Sequence, residues 1–135
     1  TIMKVYIAAS YPRKAEAVAL IQGLHEEGHS ITSRWLADIG KYRVDKRLAI
    51  RDIEDIRRAN VLLQLTDGKV QLTRGGRQVE LGIAIGLAMP VIILGEKEHI
   101  FHALDSADHV YRCQTILEVH ATLRALELEV AVGAR

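Results

Sequence analysis

Segments that fit β-strands alternate along this chain with segments that have the spacing of α-helices. This order predicts a parallel sheet with helices on both faces. Right-handed crossovers leave few topologies, and we expect an α/β, flavodoxin-like, doubly wound sheet of five strands in the order 2-1-3-4-5. The predicted strands are 5–9, 29–35, 61–65, 91–94 and 109–112, and the predicted helices are 13–27, 45–59, 77–88, a short one at 100–104 and a last one at 116–130.

The size and charge of the chain fit a single domain that spans residues 1–135. A chain of 135 residues with 49% hydrophobic content is large enough to bury a real core. Its net charge of +1 predicts no general attraction to polymeric nucleic acid or to a membrane. No apolar run approaches the ~20 residues that span a bilayer. The single cysteine, Cys113, has no internal disulfide partner, so we expect a cytoplasmic protein.

Helical spacing predicts which side chains face the core. Val18 and Leu24 are predicted to point inward from the first helix, whereas Asp55 is placed on the solvent side of the second. We expect Trp35 in the core rather than in a pocket. The helix at 77–88 is apolar almost all round, which predicts burial on several sides and fits a homodimer or a higher homo-oligomer.

Ligands of doubly wound sheets bind beyond the carboxyl ends of the strands, where the strand order reverses. In the predicted order this point lies between the first and third strands. The loops that begin at Ser10, Thr66 and Gly95 are expected to meet there.

A glycine-rich loop and one carboxylate mark the helix at 77–88. Gly75 and Gly76 let the backbone approach a ligand closely, and the amide groups of a helix start attract anions. Arg74 and Arg77 add donors suited to phosphate. Glu80 is predicted in the first helical turn, where the helix dipole favours its ionised form and a nucleophilic role. The alternative is that Glu80 only complements the helix start, with its carboxylate in solvent.

Other fingerprints of cofactor or metal binding are missing from the sequence. It contains no Gly-x-Gly-x-x-Gly and no phosphate-loop lysine. His99 and His102 are three residues apart, but no third ligand is evident, and most of the six histidines are expected at the surface. We therefore predict a site without metal or cofactor.

The segment from Gly75 to Ile92 resembles the signature of the nucleoside 2-deoxyribosyltransferase family, which includes the 2'-deoxynucleoside 5'-monophosphate N-glycosidases. Its most specific part is Gly-Gly-Arg-Gln-Val-Glu-Leu-Gly-Ile-Ala, followed by Met-Pro-Val-Ile. The segments at 8–10, 52–63 and 100–104 also resemble that family, so the resemblance covers most of the chain.

The resemblance implies cleavage of the N-glycosidic bond of a nucleoside or of its 5'-monophosphate. Glu80 would form a covalent glycosyl ester, which water (a hydrolase) or a second base (a transferase) then resolves. Asp67 matches a family position near the base and is the candidate proton donor. Its alternative is an ordinary turn residue between Thr66 and Gly68.

The chain departs from the classical deoxyribosyltransferases at one position. They carry an acid six residues before the nucleophile, whereas this chain has Arg74. The change favours an anionic substrate and hydrolysis over base exchange. The expected substrate-binding residues are therefore Ser10, Tyr11, Arg13, Arg74, Gly75, Gly76 and Arg77.

Each of the residues after the first strand has a plainer alternative. Ser10 is also suited to cap the following helix, Tyr11 to lie at the surface, and Arg13 to be a solvated charge at a helix start.

Family members often complete each pocket with a neighbouring subunit, which agrees with the predicted homodimer.

Two other functions fit the same fold. A non-catalytic module that senses a nucleotide would keep the loop at 75–76 and tolerate Glu80. A phospho-receiver module would use Asp67 as its acceptor, but receivers need further acids after the first strand, where this chain has Ala8, Ala9 and Ser10. A small-molecule enzyme is the hypothesis that best accounts for Glu80.

Overall fold

The computed structural model describes residues 3–38, 43–68, 75–106 and 109–133, and in these ranges five parallel strands form one sheet. The strand order is β2-β1-β3-β4-β5, which confirms the predicted order and the flavodoxin-like α/β class. The strands are β1 (Lys4–Ala8), β2 (Ser30–Ile31), β3 (Val61–Leu65), β4 (Val91–Leu94) and β5 (Val110–Cys113).

Within the described residues, three α-helices and three 3₁₀ segments connect the strands, and a fourth α-helix follows β5. Right-handed crossovers put α1 on one face of the sheet and α2 and α3 on the other, where these two helices contact each other. None of the described helices is both long and apolar enough to cross a membrane. The helices are α1 (Lys14–Glu26), α2 (Lys46–Arg57), α3 (Gly76–Gly86) and α4 (Ile116–Gly133), and the 3₁₀ segments are Tyr11–Arg13, Arg34–Ala37 and Ile100–Ser106.

The three central strands form the core. Every residue of β3 is buried, as are all but the first of β1 and all but the last of β4, because helices cover both faces of the sheet. Two of these buried side chains are polar: Tyr6 in β1 and Gln64 in β3, both 0% exposed. Buried polar groups need hydrogen-bond partners, and both of these find theirs on α3 or beside it.

The second strand is shorter than predicted, because side chains replace its ladder after Ile31. Ser33 Oγ accepts a hydrogen bond from the Ile7 amide at 3.1 Å, and Trp35 Nε1 donates to the Ile7 carbonyl at 2.8 Å. These bonds fasten the 3₁₀ segment to β1 and satisfy backbone groups that a longer β2 would have paired. Trp35 is buried, which confirms its predicted place in the core.

Two residues lie on a different side of their helix from the predicted one. Val18 is 49% exposed, whereas Leu24 is buried as predicted, together with Ala17 and Leu20. Asp55, predicted on the solvent side of α2, is fully buried. The helix is turned so that its carboxylate accepts from the Arg34 amide at 2.9 Å and from Arg34 Nε at 2.8 Å, and also pairs with Arg58. Burial of this charge is stable because every contact is a charged or backbone donor.

Candidate active site

The helix that carries Glu80 begins at a glycine in a special conformation. Gly75 precedes α3 with φ +94°, in the left-handed region that glycine adopts without strain. Glu80 is the fifth residue of α3, and the first turn contains no acid. The prediction that Glu80 lies in the first turn is therefore wrong, and the dipole effect expected there falls off before it reaches this residue.

The carboxylate of Glu80 is held by a tyrosine from the sheet. The Tyr6 hydroxyl group of β1 donates a hydrogen bond to Glu80 Oε2, across 74 residues of sequence. Burial raises the pKa of Tyr6 well above its usual range, and the negative charge of Glu80 raises it further. Tyr6 therefore remains a hydrogen-bond donor, and it binds Oε2 of Glu80 rather than Oε1.

The charge state of Glu80 differs from the predicted one. Burial raises the pKa of Glu80 to about 8, and the charge of Asp52 raises it as well, while the hydrogen bond from Tyr6 lowers it. The carboxyl group is thus poised near neutral pH instead of being held fully ionised by the helix start. A perturbed carboxyl group of this kind is characteristic of functional sites.

Asp52 on α2 is the second acid of this site. Its charge acts on both Glu80 and Tyr6. Burial raises the pKa of Asp52, against the opposite effect of Arg51, whose Nη2 lies 3.5 Å from Asp52 Oδ1. Arg51 is itself fixed by two hydrogen bonds of 2.8 and 2.7 Å to the Asp38 carboxylate. Two neighbouring carboxyl groups with raised pKa values form a pair suited to acid–base and nucleophilic roles.

Four of the predicted site residues meet at the carboxyl ends of β1 and β3. Asp67 is the centre of this cluster: its Oδ2 accepts from Ser10 Oγ and lies 3.3 Å from Arg77 Nη2, and its Oδ1 lies 3.5 Å from Arg13 Nη1. Arg13 also donates to the Thr66 carbonyl. The cluster lies where the strand order reverses, as expected for a ligand site of this fold.

The side chain of Arg77 is buried, unlike that of an arginine that binds phosphate at the protein surface. Its side chain is 0% exposed, and Nη2 contacts Glu98 Oε1 at 2.6 Å in addition to Asp67. Nη1 is buried and has no hydrogen-bond partner among the residues that the structure describes. One donor of this guanidinium group is therefore left for an acceptor outside those residues.

The remaining predicted residues border the cluster or lie outside the described part of the chain. Tyr11 is 37% exposed, and its hydroxyl group donates to the Asp38 carbonyl at 3.4 Å. Ser10 precedes the first 3₁₀ segment, but its side chain binds Asp67 and makes no capping bond. Gly75 and Gly76 form the start of α3, and Arg74 lies outside the described residues.

Sequence reasoning missed five polar residues at this end of the sheet. His102 is fully buried, although most of the six histidines were expected at the surface. A signal for two of the five was present, because a phenol and an amide inside strands predicted to be buried must find partners. The five are Tyr6, Asp52, Gln64, Glu98 and His102.

Solved structures with the same fold include enzymes that act on glycosidic bonds. A CMP N-glycosidase of Clostridium botulinum, BcmB, is 16% identical, covers 90% of this chain and 98% of its own, and has a TM-score of 0.61. A 2-deoxyribosyltransferase of Bacillus psychrosaccharolyticus is 18% identical, with 86% and 89% coverage and a TM-score of 0.63. A conserved protein of Enterococcus faecalis is 17% identical, with 87% and 86% coverage and a TM-score of 0.57.

At these identities the likeness shows the fold alone. No family model matches the chain, and no curated protein matches it. The geometry around Glu80 and the residues that resemble the family are therefore what points to a function for this chain.

Proposed function

We propose that this chain is an N-glycosidase of the nucleoside 2-deoxyribosyltransferase family, acting on a nucleoside or its 5'-monophosphate. The observation that carries the proposal is the contact between Tyr6 and Glu80, with Asp52 close enough to influence both. An isolated structural carboxylate needs neither a buried hydrogen-bond donor nor a neighbouring acid. The fold shared with a CMP N-glycosidase and a 2-deoxyribosyltransferase supports the same reaction class.

In the proposed reaction Glu80 Oε1 attacks the anomeric carbon of the sugar. The carbon–oxygen bond forms as the bond to the base breaks, and the electron pair of that bond leaves with the base. Tyr6 keeps Oε2 in place and favours the ionised form that the attack needs; because burial raises the pKa of Glu80 to about 8, this form becomes the major one only above that pH. Water then attacks the same carbon, its proton passes to the group that protonated the base in the first step, and Glu80 leaves as a carboxylate, so two displacements retain the configuration.

The departing base needs a proton, and we propose that Asp52 supplies it. Burial raises the pKa of Asp52, so the group has a protonated form to offer at higher pH than an ordinary aspartate. Asp67, the donor predicted from the family resemblance, is the second candidate. Both of its oxygens already accept from Ser10, Arg13 or Arg77, and a proton on Asp67 would displace one of these contacts.

The cluster around Asp67, with its two arginines, suits the 5'-phosphate of a substrate. Arg13, whose side chain is 24% exposed, lies at the rim, and Arg77 Nη1 is a buried donor without a described partner. The amide groups at the start of α3, after Gly75, add donors that suit an anion. We infer a hydrolase of nucleoside monophosphates, with transfer to a second base as the alternative.

Wild-type protein incubated with 2'-deoxynucleoside monophosphates should release free base, measured by chromatography with and without an added acceptor base. Arg13→Ala should lower kcat/KM for the monophosphate by about 10–100-fold, because a charged hydrogen bond to phosphate is lost, and change the value for the matching nucleoside far less. Arg47→Ala, which removes an exposed arginine paired with Asp45, is the matched control.

Equal losses of Arg13→Ala on the two substrates would contradict phosphate recognition. A nucleotide that raises the thermal stability of the wild-type protein without any base release would instead support the sensor. Arg77→Ala is a poor probe of phosphate binding, because it strands the buried carboxylates of Asp67 and Glu98 and costs about 3–5 kcal/mol of stability.

We further propose that the protein forms a homodimer through the outer faces of α2 and α3. These adjacent helices and the residue that follows α3 expose apolar side chains that a monomer would leave in water: Ile50, Ile53, Val79 and Leu87. Val79→Asp should convert the dimer into a monomer, measured by light scattering. Leu117→Asp, at an exposed apolar position of α4 on another part of the surface, should remain dimeric. A monomeric wild-type protein would contradict the proposal.

A further inference from the structure

A buried set of polar side chains joins the loop after β4 to the start of α3. Glu98, in that loop, has a side chain that is 3% exposed. Its Oε1 accepts from Arg77 Nη2 at 2.6 Å, Arg77 Nε at 3.2 Å and Gln78 Nε2 at 3.1 Å. Its Oε2 accepts from the Asp67 amide at 2.9 Å. One carboxylate thus holds both the first turn of α3 and the loop after β3.

His102 binds the backbone of Glu98 and so fixes its position. His102 Nδ1 lies 2.9 Å from the backbone nitrogen of Glu98, and Nε2 lies 2.6 Å from Gln64 Oε1. A backbone amide can only donate, so Nδ1 accepts and Nε2 carries the proton. The imidazole ring is therefore neutral and bound at both nitrogens.

Gln64 closes the arrangement into a ring. Its Nε2 donates to the Arg77 carbonyl and to Gln78 Oε1, both at 3.1 Å, so its Oε1 is the atom that accepts from His102. Gln78 in turn donates to Glu98. The ring of Gln64, His102, Glu98 and Gln78 has its polar atoms paired, and such closed networks are rigid.

The ring acts on the first turn of α3, and Glu80 follows Arg77 by three residues on the same face of that helix. A shift of this turn would move Glu80 away from Tyr6, which is fixed in β1. The contact between Tyr6 and Glu80 therefore depends on where Glu98 holds the helix. The ring touches neither Glu80 nor Tyr6, so its influence is indirect.

The geometry points to Glu98, held by His102, as a positioning residue that keeps Glu80 within hydrogen-bond distance of Tyr6. This role rests on the proposed function where it treats Glu80 as the nucleophile. The coupling of the ring to the contact between Tyr6 and Glu80 is a structural effect, and it does not require that any reaction occur.

The titration of Glu80 reports this coupling without an activity assay. Tyr6 lowers the pKa of Glu80, while burial and the charge of Asp52 raise it, so a loosened contact with Tyr6 moves the midpoint upward. The protein is labelled with ¹³C at its glutamate carboxyl carbons, and the signal missing from Glu80→Gln assigns Glu80. The midpoint is then read by NMR.

His102→Leu and Glu98→Gln should each raise the Glu80 midpoint by about one pH unit, roughly the effect of one hydrogen bond to a carboxylate. His102→Asn places an amide oxygen near the position of Nδ1, keeps an acceptor for the Glu98 amide and should retain most of the wild-type midpoint. His29→Leu is the matched control, because His29 is also buried and its Nδ1 also accepts from a backbone amide, that of Met3 at 3.3 Å.

A wild-type midpoint in both folded His102→Leu and folded Glu98→Gln would overturn the proposal. So would an equal shift in His29→Leu, which would mark a general loss of stability. If His102→Leu does not fold, Glu98→Gln and His102→Asn supply the same comparison. The expected shifts in a protein that releases no base would support the positioning role and refute the proposed function, so the two failures are distinct.

Discussion

Glu80→Gln should abolish base release while the fold stays intact. The amide has nearly the shape of the carboxyl group and still offers Tyr6 an oxygen acceptor, but it lacks the negatively charged oxygen that attacks the sugar. Loss of a nucleophile that forms a covalent intermediate typically costs at least about 10³-fold in rate. The measurement is free base by chromatography, with circular dichroism to check the fold.

Glu54→Gln is the matched control for that experiment, because Glu54 is a glutamate on the exposed side of α2, with its side chain 61% exposed. It should keep the wild-type rate. Intact-mass spectrometry of rapidly quenched reactions should detect the sugar phosphate on the wild-type protein and not on Glu80→Gln. Undiminished base release by Glu80→Gln would remove the proposed mechanism.

The fold was predictable because its information is local. The strands at 61–65 and 91–94 are apolar runs bounded by turn residues, and crossover handedness restricts how such strands join. The second strand was not predictable in length, because it ends where Ser33 and Trp35 bind the backbone of Ile7, more than twenty residues away. Side-chain hydrogen bonds that replace the backbone bonds between strands leave no periodic pattern in the sequence.

The candidate site was only partly predictable. Glu80 could be found because an acid in an apolar helix after two glycines is unusual. Tyr6 could not be assigned to it, since a tyrosine in an apolar strand fits an ordinary core, and its partner lies 74 residues away. Asp52 stands among the charges of an amphipathic helix, where only the rotation of α2 in the fold reveals which of them turn toward the sheet.

The charge state of Glu80 was predicted wrongly for a physical reason. A helix start favours an ionised carboxylate, but that effect is confined to the first turn, and Glu80 lies beyond it. Burial then becomes the larger influence and raises the pKa. Burial of one side chain depends on the whole packing around it, so this outcome required the structure.

Glu80→Gln should also stabilise the protein, increasingly so as the pH rises from 5 to 9. Burial raises the pKa of Glu80 from its ordinary value of 4.5 to about 8. Below pH 4.5 the folded and unfolded states are both protonated, and the two proteins should be equally stable. Between 4.5 and 8 the unfolded wild-type chain loses this proton while the folded one keeps it, so wild-type stability falls.

Above pH 8 both states of the wild-type protein are ionised, and the difference between wild type and Glu80→Gln should level off. The difference in the free energy of unfolding is at most about 5 kcal/mol, because the pKa of Glu80 rises from 4.5 to about 8 on folding and each unit of pKa corresponds to ~1.4 kcal/mol. Solvent reaches the half-buried Glu80 and reduces this free-energy difference. We therefore expect the Tm of Glu80→Gln to exceed that of the wild-type protein by about 5–10 °C at pH 9. Thermal unfolding followed by circular dichroism at pH 5, 7 and 9 measures it.

Glu54→Gln is again the matched control, because it changes an exposed glutamate of α2, and its Tm should differ from that of the wild-type protein by a few degrees at most. Most other titrating groups are common to wild type and Glu80→Gln and cancel in the difference between them; Asp52, whose charge raises the pKa of Glu80, is the exception. A Tm difference that stays constant from pH 5 to 9 would show that Glu80 ionises like a solvated acid. The site would then lack the half-buried carboxyl group of raised pKa on which the proposed nucleophile depends.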